Sequence, residues 1–459
     1  MSAKKQLTYE KKTVYEKAGE EIVAKAYEYA KDYVKFLDAA KTEREAVNES
    51  VKMAEAAGYR PYSFGMPMKA GDKFYFNNRG KNIYLFRIGT EDINNGIRIT
   101  AAHIDSPRLD LKQVPVYEES GMCYLKTHYY GGIRKYQWLA MPLALHGVVV
   151  KQSGEVVNVV IGENDTDPVM YITDLLPHLA AAENEKTVAK AFPAEKLNIL
   201  VGSRPLDGEE KDSVKAGVLQ YLNETYGITE EDFLSAELSI VPAAKARDVG
   251  FDRSMICGYG HDDRVCAYPS ITAMIDADEV THTTMCILVD KEETGSDGVT
   301  GMQSSLITDV ITEIAKALGG NEAAVRANSK CLSSDVTATY DPNFADVYEY
   351  RNASLIGCGV SMCKFTGARG KSGTSDASAE LVAWVRRCLN EAGVVWQTCE
   401  LGKVDVGGGG TVAKYMANHN IDTIDIGVGV LSMHAPYELI SKVDLYEAYR
   451  AFYAFYRFA

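Results

Sequence analysis

Several acidic and histidine side chains stand where a short apolar run gives way to a turn, a setting suited to metal-assisted hydrolysis. In residues 286–296, the run Cys-Ile-Leu-Val is typical of a buried strand, and adjacent Glu292 and Glu293 follow before Thr-Gly-Ser. Neighbouring side chains of a regular strand point to opposite faces, but the turn allows both carboxylates to serve one site. One carboxylate can hold a metal while the other takes a proton from water. The alternative is a solvated glutamate pair.

A second stretch, Ala102-His-Ile-Asp-Ser-Pro-Arg-Leu, places His103 at the end of an apolar strand and Asp105 two residues later. Residues i and i+2 share a face if the strand continues. Asp105 can therefore hold one imidazole nitrogen and direct the other towards a metal. A lone histidine at a strand end is more often structural, so this pattern needs partners elsewhere.

Three further stretches supply such partners. Asp262 and Asp263 lie between a glycine turn and a predicted helix, where either can cap the helix or bridge two metal ions. Asp335 and His434 are single candidates, each in a loop beyond a predicted strand. Sites of α/β folds lie at the carboxyl ends of parallel strands. Two histidines and three carboxylates, without clustered cysteines, suit a pair of Zn²⁺, Co²⁺ or Mn²⁺ ions.

The elements that must position these residues follow an α/β pattern. Strands are predicted at 96–103, 285–289 and 421–426, and helices at 265–277 and 377–392. Residues 114–243 are instead rich in predicted strands and lack dense clusters of His, Asp and Glu. We interpret them as a domain inserted into another domain. The predicted domains are therefore 1–113 and 244–459, which form one unit, and the insertion 114–243.

Composition excludes several classes of partner. With 459 residues, 46% of them hydrophobic and 24% charged, the chain has globular composition and room for two or three domains. The net charge of −14 argues against nucleic acid or an anionic membrane as the main partner. No run approaches the ~20 apolar residues of a membrane span, and the first ten residues lack the apolar core of a signal peptide.

The nine cysteines are scattered, odd in number and without a Cys-x-x-Cys pair. This distribution predicts reduced thiols rather than a disulfide framework, and a cytoplasmic location.

Taken together, these motifs resemble the M18 metallo-aminopeptidases, the group that includes aspartyl aminopeptidase within the co-catalytic dizinc exopeptidases. The resemblance covers essentially the whole chain. It depends on the segments that begin at Ala102, Tyr130 (Tyr-Gly-Gly-Ile), His261 (His-Asp-Asp-Arg), Asp290 (Asp-Lys-Glu-Glu-Thr-Gly-Ser), Ser334 (Ser-Asp) and Met433 (Met-His). It implies a mixed central sheet flanked by helices, and an enzyme that hydrolyses the N-terminal residue of peptides.

The resemblance also assigns roles. It implies two divalent ions per subunit, Zn²⁺ with Co²⁺ or Mn²⁺ as alternatives, held by His103 and Asp335 on one ion, Glu293 and His434 on the other, and Asp262 bridging both. Glu292 is then the general base for a hydroxide that bridges the ions, and Asp105 orients His103. Only the resemblance separates the two glutamates and prefers Asp262 to Asp263, since many relatives have Asn at the second position.

Two expectations concern substrate and assembly. Lys364, Arg369 and Lys371 form a basic loop, interpreted either as solvated or as a pocket for an acidic first side chain. The resemblance implicates Lys364, although the family also includes enzymes that favour neutral residues. It further implies that the insertion mediates dimers, which often assemble into a hollow tetrahedral dodecamer in related enzymes. A loop of the insertion would then reach a neighbour's active site, and we expect that contact at His128 and the Tyr129-Tyr-Gly-Gly stretch.

Two alternatives stay open. A dinuclear carboxypeptidase or N-deacylase uses similar ligands, and then the basic loop would bind the substrate α-carboxylate. A non-catalytic assembly protein on the same scaffold is a second alternative, against which the complete ligand set argues.

Overall fold

A computed structural model describes residues 7–458 of the chain. The outermost residues of the predicted domains, and the first six of the ten residues in which no signal peptide is expected, lie outside this range. Within 7–458, no helix combines the length and the apolar character needed to cross a membrane.

Strands occur throughout the described range. In chain order they are β1 Arg60–Pro61, β2 Lys73–Asn78, β3 Asn82–Arg87, β4 Ile97–His103, β5 Arg108–Glu119, β6 Met122–Tyr130, β7 Pro142–Val150, β8 Val156–Ile161, β9 Met170–Tyr171, β10 Ile199–Gly202, β11 Ala236–Pro242, β12 Arg247–Val249, β13 Met255–Gly258, β14 Thr283–Val289, β15 Lys330–Ser333, β16 Thr337–Ala338, β17 Val360–Cys363, β18 Trp396–Thr398, β19 Asp422–Gly427, β20 Gly429–Leu431 and β21 Glu438–Ser441.

Helices separate many of these strands. The α-helices are α1 Val14–Lys17, α2 Glu20–Ala39, α3 Glu43–Ala56, α4 Ala181–Asn184, α5 Val188–Ala191, α6 Ser213–Tyr226, α7 His261–Asp276, α8 Leu306–Ala317, α9 Glu322–Asn328, α10 Ala379–Glu391, α11 Ala413–Asn418 and α12 Lys442–Arg457. Short 3-10 helices occur at Ile93–Asn95, Lys135–Trp138, Pro177–Leu179, Ala194–Lys196, Glu230–Ser235, Glu292–Thr294 and Pro342–Val347.

The central sheet has nine strands in the order β1-β2-β3-β14-β4-β15-β19-β17-β18. Its middle strands β14, β4, β15 and β19 run parallel, whereas β3 and β17 join them antiparallel. On β14, Cys286 and Leu288 pack in one apolar core, and Met285 and Ile287 pack in the other. Helices α2, α7, α10 and α12 contribute to the first core and α8 to the second. A parallel sheet covered on both faces is the expected solution, so the predicted α/β class is confirmed.

A second sheet is built from residues 108–242 in the order β11-β5-β6-β10-β9-β7-β8, with β11 also paired to β7. It has its own apolar core, centred on Leu109, Trp138 and Ile240. A third sheet of five strands, β12-β13-β21-β20-β16, lies beside the central one and carries the segments around Asp262 and His434.

One expectation about the cysteines is wrong. Cys363, at the end of β17, and Cys399, just after β18, form a disulfide with a Cα–Cα separation of 5.1 Å. The two strands are parallel neighbours, and the Cys399 amide donates to the carbonyl of Met362. Tertiary pairing of residues 36 apart leaves no mark in cysteine spacing, which is why the sequence predicts only free thiols.

Candidate metal centre

The predicted site residues meet at one edge of the central sheet. In the register of β4 and β14, His103 lies opposite Val289, so both strands end at the same level. Beyond β14, Lys291 takes a left-handed conformation with φ of 73°, and Glu292 and Glu293 enter a 3-10 turn. That turn removes the strand alternation and brings both carboxylates to the site. Asp335 follows the end of the neighbouring parallel strand β15.

Asp262 lies near the start of α7, which follows β13. Its φ and ψ of −79° and 105° are not helical, so the regular helix begins only after Asp263, as predicted. His434 lies between β20 and β21 and has a φ of 65°. The third sheet thus brings a residue from far along the chain to the ends of the parallel strands.

The tautomer of His103 follows from its neighbours. Its Nδ1 lies 3.0 Å from the carbonyl oxygen of Asp105 and 3.3 Å from the Asp105 carboxylate. A carbonyl oxygen only accepts, so Nδ1 carries the proton. The lone pair of Nε2 then faces Asp262 Oδ1 at 3.1 Å and Asp335 Oδ1 at 3.7 Å. Asp105 thus contacts the His103 imidazole through its backbone as well as its side chain.

His434 is held in the same way. Its Nδ1 donates to the carbonyl of Gly132 at 2.8 Å, so the lone pair of Nε2 faces Asp262 Oδ2 at 3.2 Å and Glu293 Oε1 at 3.6 Å. Each oxygen of Asp262 thus faces a different histidine. Lone pairs that face carboxylate oxygens repel unless a proton or a cation lies between them.

The donor set fits two divalent cations. The buried oxygens Asp262 Oδ1 and Glu293 Oε1 receive no hydrogen bond from the described residues. Zinc ligands lie ~2.0–2.2 Å from the ion, so two ligands of one ion lie about 3–4 Å apart, as the facing atoms do. In three overlapping groups the possible ligand atoms all lie within 4.8 Å of one another: His103, Asp262, Asp263 and Asp335; His103, Glu292 and Glu293; and Asp262, Glu293 and His434.

The close approach of several carboxylates also favours bound cations at this site. Burial, with Asp335 adding to it, raises the pKa of Glu292 to about 8, and burial with the charge of Asp262 raises the pKa of Glu293 well above its usual range. Burial lowers the pKa of His434, but its contacts with Asp262 and Glu293 outweigh burial and raise it to about 10, so these oxygens favour a positive charge, a proton or a cation, at Nε2. The negative charges of the buried carboxylates at this site are therefore not fully compensated, and two divalent ions would supply the missing positive charge.

The two glutamates differ in setting. The backbone amides of both donate to the carboxylate of Asp105, each at 3.2 Å, which fixes the turn. The Glu293 side chain is 4% exposed and faces His434. The Glu292 side chain is 18% exposed, lies 4.0 Å from His103 Nε2 and borders a cavity of about 430 Å³. Both glutamates border this cavity, and Glu292 is the more exposed of the two.

That cavity opens onto the centre. Apolar side chains supply much of its wall beyond the metal-ligand candidates, and these are Val336, Phe365, Leu401 and Met433. The glycine-rich loop adds Gly408, Gly409 and Gly410. A Cβ on Gly408 would lie 2.2 Å from the carbonyl oxygen of Gly367, so a side chain would not fit there.

The predicted substrate residues are placed differently. Lys364 and Lys371 do not border the cavity, and both pair with the carboxylate of Asp376. His128 is exposed on β6, and its Nδ1 lies 2.8 Å from the carbonyl oxygen of Tyr129. These three residues are not brought to the metal centre of their own subunit.

Other residues of the site carry no chemical signal of their own in the sequence. The Tyr130 hydroxyl donates to Asp105 at 2.7 Å, and the buried carboxylate of Glu438 accepts the backbone amides of Asp262 and His434. Arg264 donates to Ser106, whose hydroxyl donates to the carbonyl of Asp262. The spacing of Glu438 four residues after His434 is the one local hint.

An α/β core that gathers histidine and carboxylate ligands at the ends of its parallel strands has the architecture of a metal-dependent hydrolase. Residues 36–456 match the family of the aminopeptidase I zinc metalloproteases (M18). The chain belongs to the M18 family, as predicted, and it is therefore a zinc aminopeptidase that hydrolyses peptides.

Individual relatives agree with this assignment. The chain is 50% identical over 450 residues to the probable M18 family aminopeptidase 1 of Clostridium acetobutylicum, covering 96% of this chain and 97% of the relative. The crystal structure of an M18 aminopeptidase from Thermotoga maritima matches with a TM-score of 0.93 at 43% identity, over 98% and 100% of the two chains. Aminopeptidase I from C. acetobutylicum matches with a TM-score of 0.92 at 48% identity, over 98% and 99%.

Proposed function

We propose that this M18 chain removes the N-terminal residue of peptides with two divalent ions, and that Glu292 is the general base. The observation that carries the proposal is the pair of Nε2 atoms, of His103 and His434, that face the two oxygens of Asp262. This arrangement supports Asp262 as a bridging ligand, with His103 and Asp335 on one ion and Glu293 and His434 on the other.

When bound, the ions supply Lewis acidity, which polarises the scissile carbonyl and lowers the pKa of water. Glu292 takes a proton from the attacking water while the oxygen of that water bonds to the carbonyl carbon. As the C–N bond breaks, Glu292 returns that proton to the leaving amine. Its side chain is 18% exposed beside the cavity, against 4% for Glu293, which supports this role. Asp105 holds both the imidazole of His103 and the turn that carries Glu292.

The identity of the ions is part of the proposal. Imidazole and carboxylate ligands suit Zn²⁺, and Co²⁺ or Mn²⁺ are chemically acceptable alternatives. The preference for acidic N-terminal residues also remains a prediction. It requires Lys364 and Lys371 to face the substrate, and their pairing with Asp376 does not favour it.

Assembly and location remain proposals as well. We propose a homo-oligomer formed through the predicted insertion, 114–243, in which Val169, Leu175, Leu176 and Leu179 are exposed. Exposed apolar side chains of this kind favour a subunit contact. We propose separately that His128 reaches the active site of a neighbouring subunit. The cytoplasmic location is a prediction from the sequence.

The test compares amino-acid p-nitroanilides with their N-acetylated counterparts, using protein stripped by a chelator and reconstituted with Zn²⁺, Co²⁺ or Mn²⁺. We expect hydrolysis of the free-amino substrates only, and a metal content of two ions per chain at full activity. Hydrolysis of blocked substrates alone would contradict the aminopeptidase proposal in favour of a deacylase. Release of C-terminal residues from a peptide would favour a carboxypeptidase instead.

A second measurement addresses a non-catalytic assembly protein. Glu292→Gln should lower turnover by ~100-fold or more while retaining the bound ions. Glu391→Gln, at an exposed glutamate on α10, should leave turnover unchanged. Unchanged hydrolysis in Glu292→Gln would refute the general-base assignment.

A further inference from the structure

We propose that Tyr130 is a positioning residue for the metal centre, and that residues 130–132, where β6 of the second sheet ends, orient the imidazoles of both His103 and His434. The second sheet thereby contributes to metal binding, in addition to any subunit contact that it makes. This inference rests on the proposed two-ion function and concerns how the ligands of that site are oriented.

Tyr130 acts on His103 through Asp105. The Tyr130 hydroxyl donates to Asp105 Oδ2 at 2.7 Å, and Asp105 Oδ1 lies 3.3 Å from His103 Nδ1. Asp105 is fully buried, so solvent does not supply a substitute for the hydroxyl. A donor on one carboxylate oxygen fixes the plane of the carboxylate. It therefore also fixes the direction in which the other oxygen faces the imidazole.

The next two residues reach the other side of the centre. The carbonyl of Gly132 accepts from His434 Nδ1 at 2.8 Å. Gly131 has a φ of 72°, and a Cβ there would lie 3.1 Å from Glu293 Oε2. Three consecutive residues at the end of β6 therefore touch groups that belong to, or orient, the proposed ligands of both ions.

Tyr130 is itself held by a buried ion pair. Arg108 lies opposite Tyr130 in the register of β5 and β6, and its guanidinium carbon lies 4.1 Å from the centroid of the tyrosine ring. The same guanidinium lies 3.1 Å from Glu43 Oε2, at the start of α3. Both charged residues are 4% exposed, and breaking a buried pair is costly. The position of the hydroxyl is thus set by the packing of the second sheet against α3.

These contacts have the form that metal-ligand histidines need. A histidine that binds a metal through one nitrogen usually donates its other N–H to an oxygen that fixes the ring. For His103 that oxygen belongs to Asp105, which Tyr130 holds, and for His434 it belongs to Gly132. Tyr130 does not border the cavity beside Glu292, so it acts on the metal ligands rather than on the substrate.

The experiment measures Zn²⁺ affinity of the full chain by chelator competition followed by elemental analysis. Tyr130→Phe removes the hydroxyl and keeps the ring against Arg108. We expect its affinity to fall ~10–100-fold, the usual cost of losing a group that orients a metal ligand. The free Zn²⁺ concentration that gives half-maximal hydrolysis of a free-amino p-nitroanilide should rise by the same factor. At saturating Zn²⁺, KM should equal that of wild type.

Tyr59→Phe is the matched control for the lost hydroxyl. Tyr59 is also buried, in the core of the central sheet, and its hydroxyl donates to the carbonyl of Met274 at 3.3 Å. Its removal should leave Zn²⁺ affinity unchanged. Urea unfolding of the metal-free variants shows whether the two substitutions destabilise the fold to the same extent.

A second variant tests the other end of the segment. Gly131→Ala should also lower Zn²⁺ affinity by tenfold or more, because the new methyl group would displace Glu293 or the segment itself. Gly121→Ala, in the turn between β5 and β6, is its control. Gly121 has a φ of 75° but no atom within 4 Å of a Cβ, so it imposes the same backbone strain without that contact. Its Zn²⁺ affinity should match that of wild type.

The outcomes separate this inference from the proposed function. Unchanged Zn²⁺ affinity in Tyr130→Phe would overturn the inference, and so would an equal loss in Tyr59→Phe, which would indicate general destabilisation. A raised KM at saturating Zn²⁺ would place Tyr130 on the substrate and overturn its positioning role. A wild type that binds two ions but hydrolyses no free-amino substrate would overturn the proposed function alone, because metal affinity is measured without turnover.

Discussion

The carboxylate of Glu438 accepts the backbone amide of Asp262 at 3.0 Å, although the two residues are 176 positions apart in the chain. Its other oxygen accepts the amide of His434 at 2.7 Å. Burial raises the pKa of Glu438 to about 8, so keeping this charge inside the protein is costly. A buried carboxylate that connects the backbones of two ligands sets the distance between them.

We therefore expect Glu438→Gln to weaken metal binding. The amide of Gln presents an NH₂ group to one of the two backbone N–H groups, so one hydrogen bond is lost. Loss of a group that orients metal ligands typically costs ~10–100-fold in affinity, and we expect that range for chelator competition followed by elemental analysis. Equal metal affinity in the variant and wild type would contradict a positioning role for Glu438.

The two adjacent glutamates should respond differently to the same change. Glu292→Gln should lower kcat by ~10²–10⁴-fold, the usual contribution of a general base, with metal content unchanged. Glu293→Gln should lower metal content as well, because Glu293 faces His434 inside the ligand cluster. Turnover and bound metal measured on the same preparations distinguish these outcomes. A Glu292→Gln variant that loses its ions would reverse the assignment of the two roles.

A buried histidine links the second sheet to α3 and should make stability depend on pH. His146 Nδ1 lies 2.7 Å from Glu45 and its Nε2 lies 3.0 Å from Glu163, which Lys41 also contacts. Burial lowers the pKa of His146, but the hydrogen bonds to Glu163 and Glu45 outweigh burial and raise it above the usual value. Burial raises the pKa of Glu163, but His146 and Lys41 outweigh it and lower that pKa to about 2.

The directions of these pKa shifts define the pH range in which His146 stabilises the folded protein. A raised histidine pKa adds stability that is complete below the unfolded value of ~6.5 and disappears as pH rises through the folded value. A lowered glutamate pKa adds stability that is complete above ~4.3 and disappears as pH falls through the folded value. The contribution of His146 is therefore largest between these limits.

Urea unfolding of His146→Gln should show this window. We expect a loss of ~1–3 kcal/mol near pH 5.5, the scale of hydrogen bonds to charged groups, and a smaller loss on the alkaline side. His178→Gln, at an exposed histidine, is the control. A loss that did not vary with pH would indicate packing rather than charge.

The Cys363–Cys399 disulfide predicts how many thiols can be titrated. Seven cysteines are free in the structure and the chain has nine, so unfolded protein should titrate seven thiols without reductant and nine after reduction. The bond closes a loop of 36 residues, and its removal in Cys399→Ser should lower the free energy of unfolding by about 2–4 kcal/mol. Nine thiols without reductant would contradict the bond.

The sequence predicts much of the site because its chemistry follows strand ends. His103, Glu292 and Asp335 each follow an apolar run that becomes a parallel strand, and parallel strands end at one edge. The hydrophobic periodicity and the turn residues of the sequence are enough to predict that such residues lie near one another. The separate roles of Glu292 and Glu293 required the family resemblance, because a local pattern does not fix which side chain the turn directs inward.

What the sequence could not predict is contact between distant segments. Only the nearby His434 hints at a role for Glu438, and its contact with Asp262 arises from the pairing of β13 with β21. The sequence leaves open whether Lys364 and Lys371 form a solvated loop or a pocket, because it does not indicate that Asp376 folds back between them. The disulfide likewise depends on which strands become neighbours.

The proposed ligand set extends from His103 to His434, and its last member lies between β20 and β21, the final strands of the described residues. When the ribosome has synthesised all the earlier ligands, the site is still incomplete because His434 is missing. The growing chain therefore has no finished hydrolytic centre near its own free amino terminus, or near those of neighbouring nascent chains. Synthesis order alone delays the activity until most of the protein has emerged.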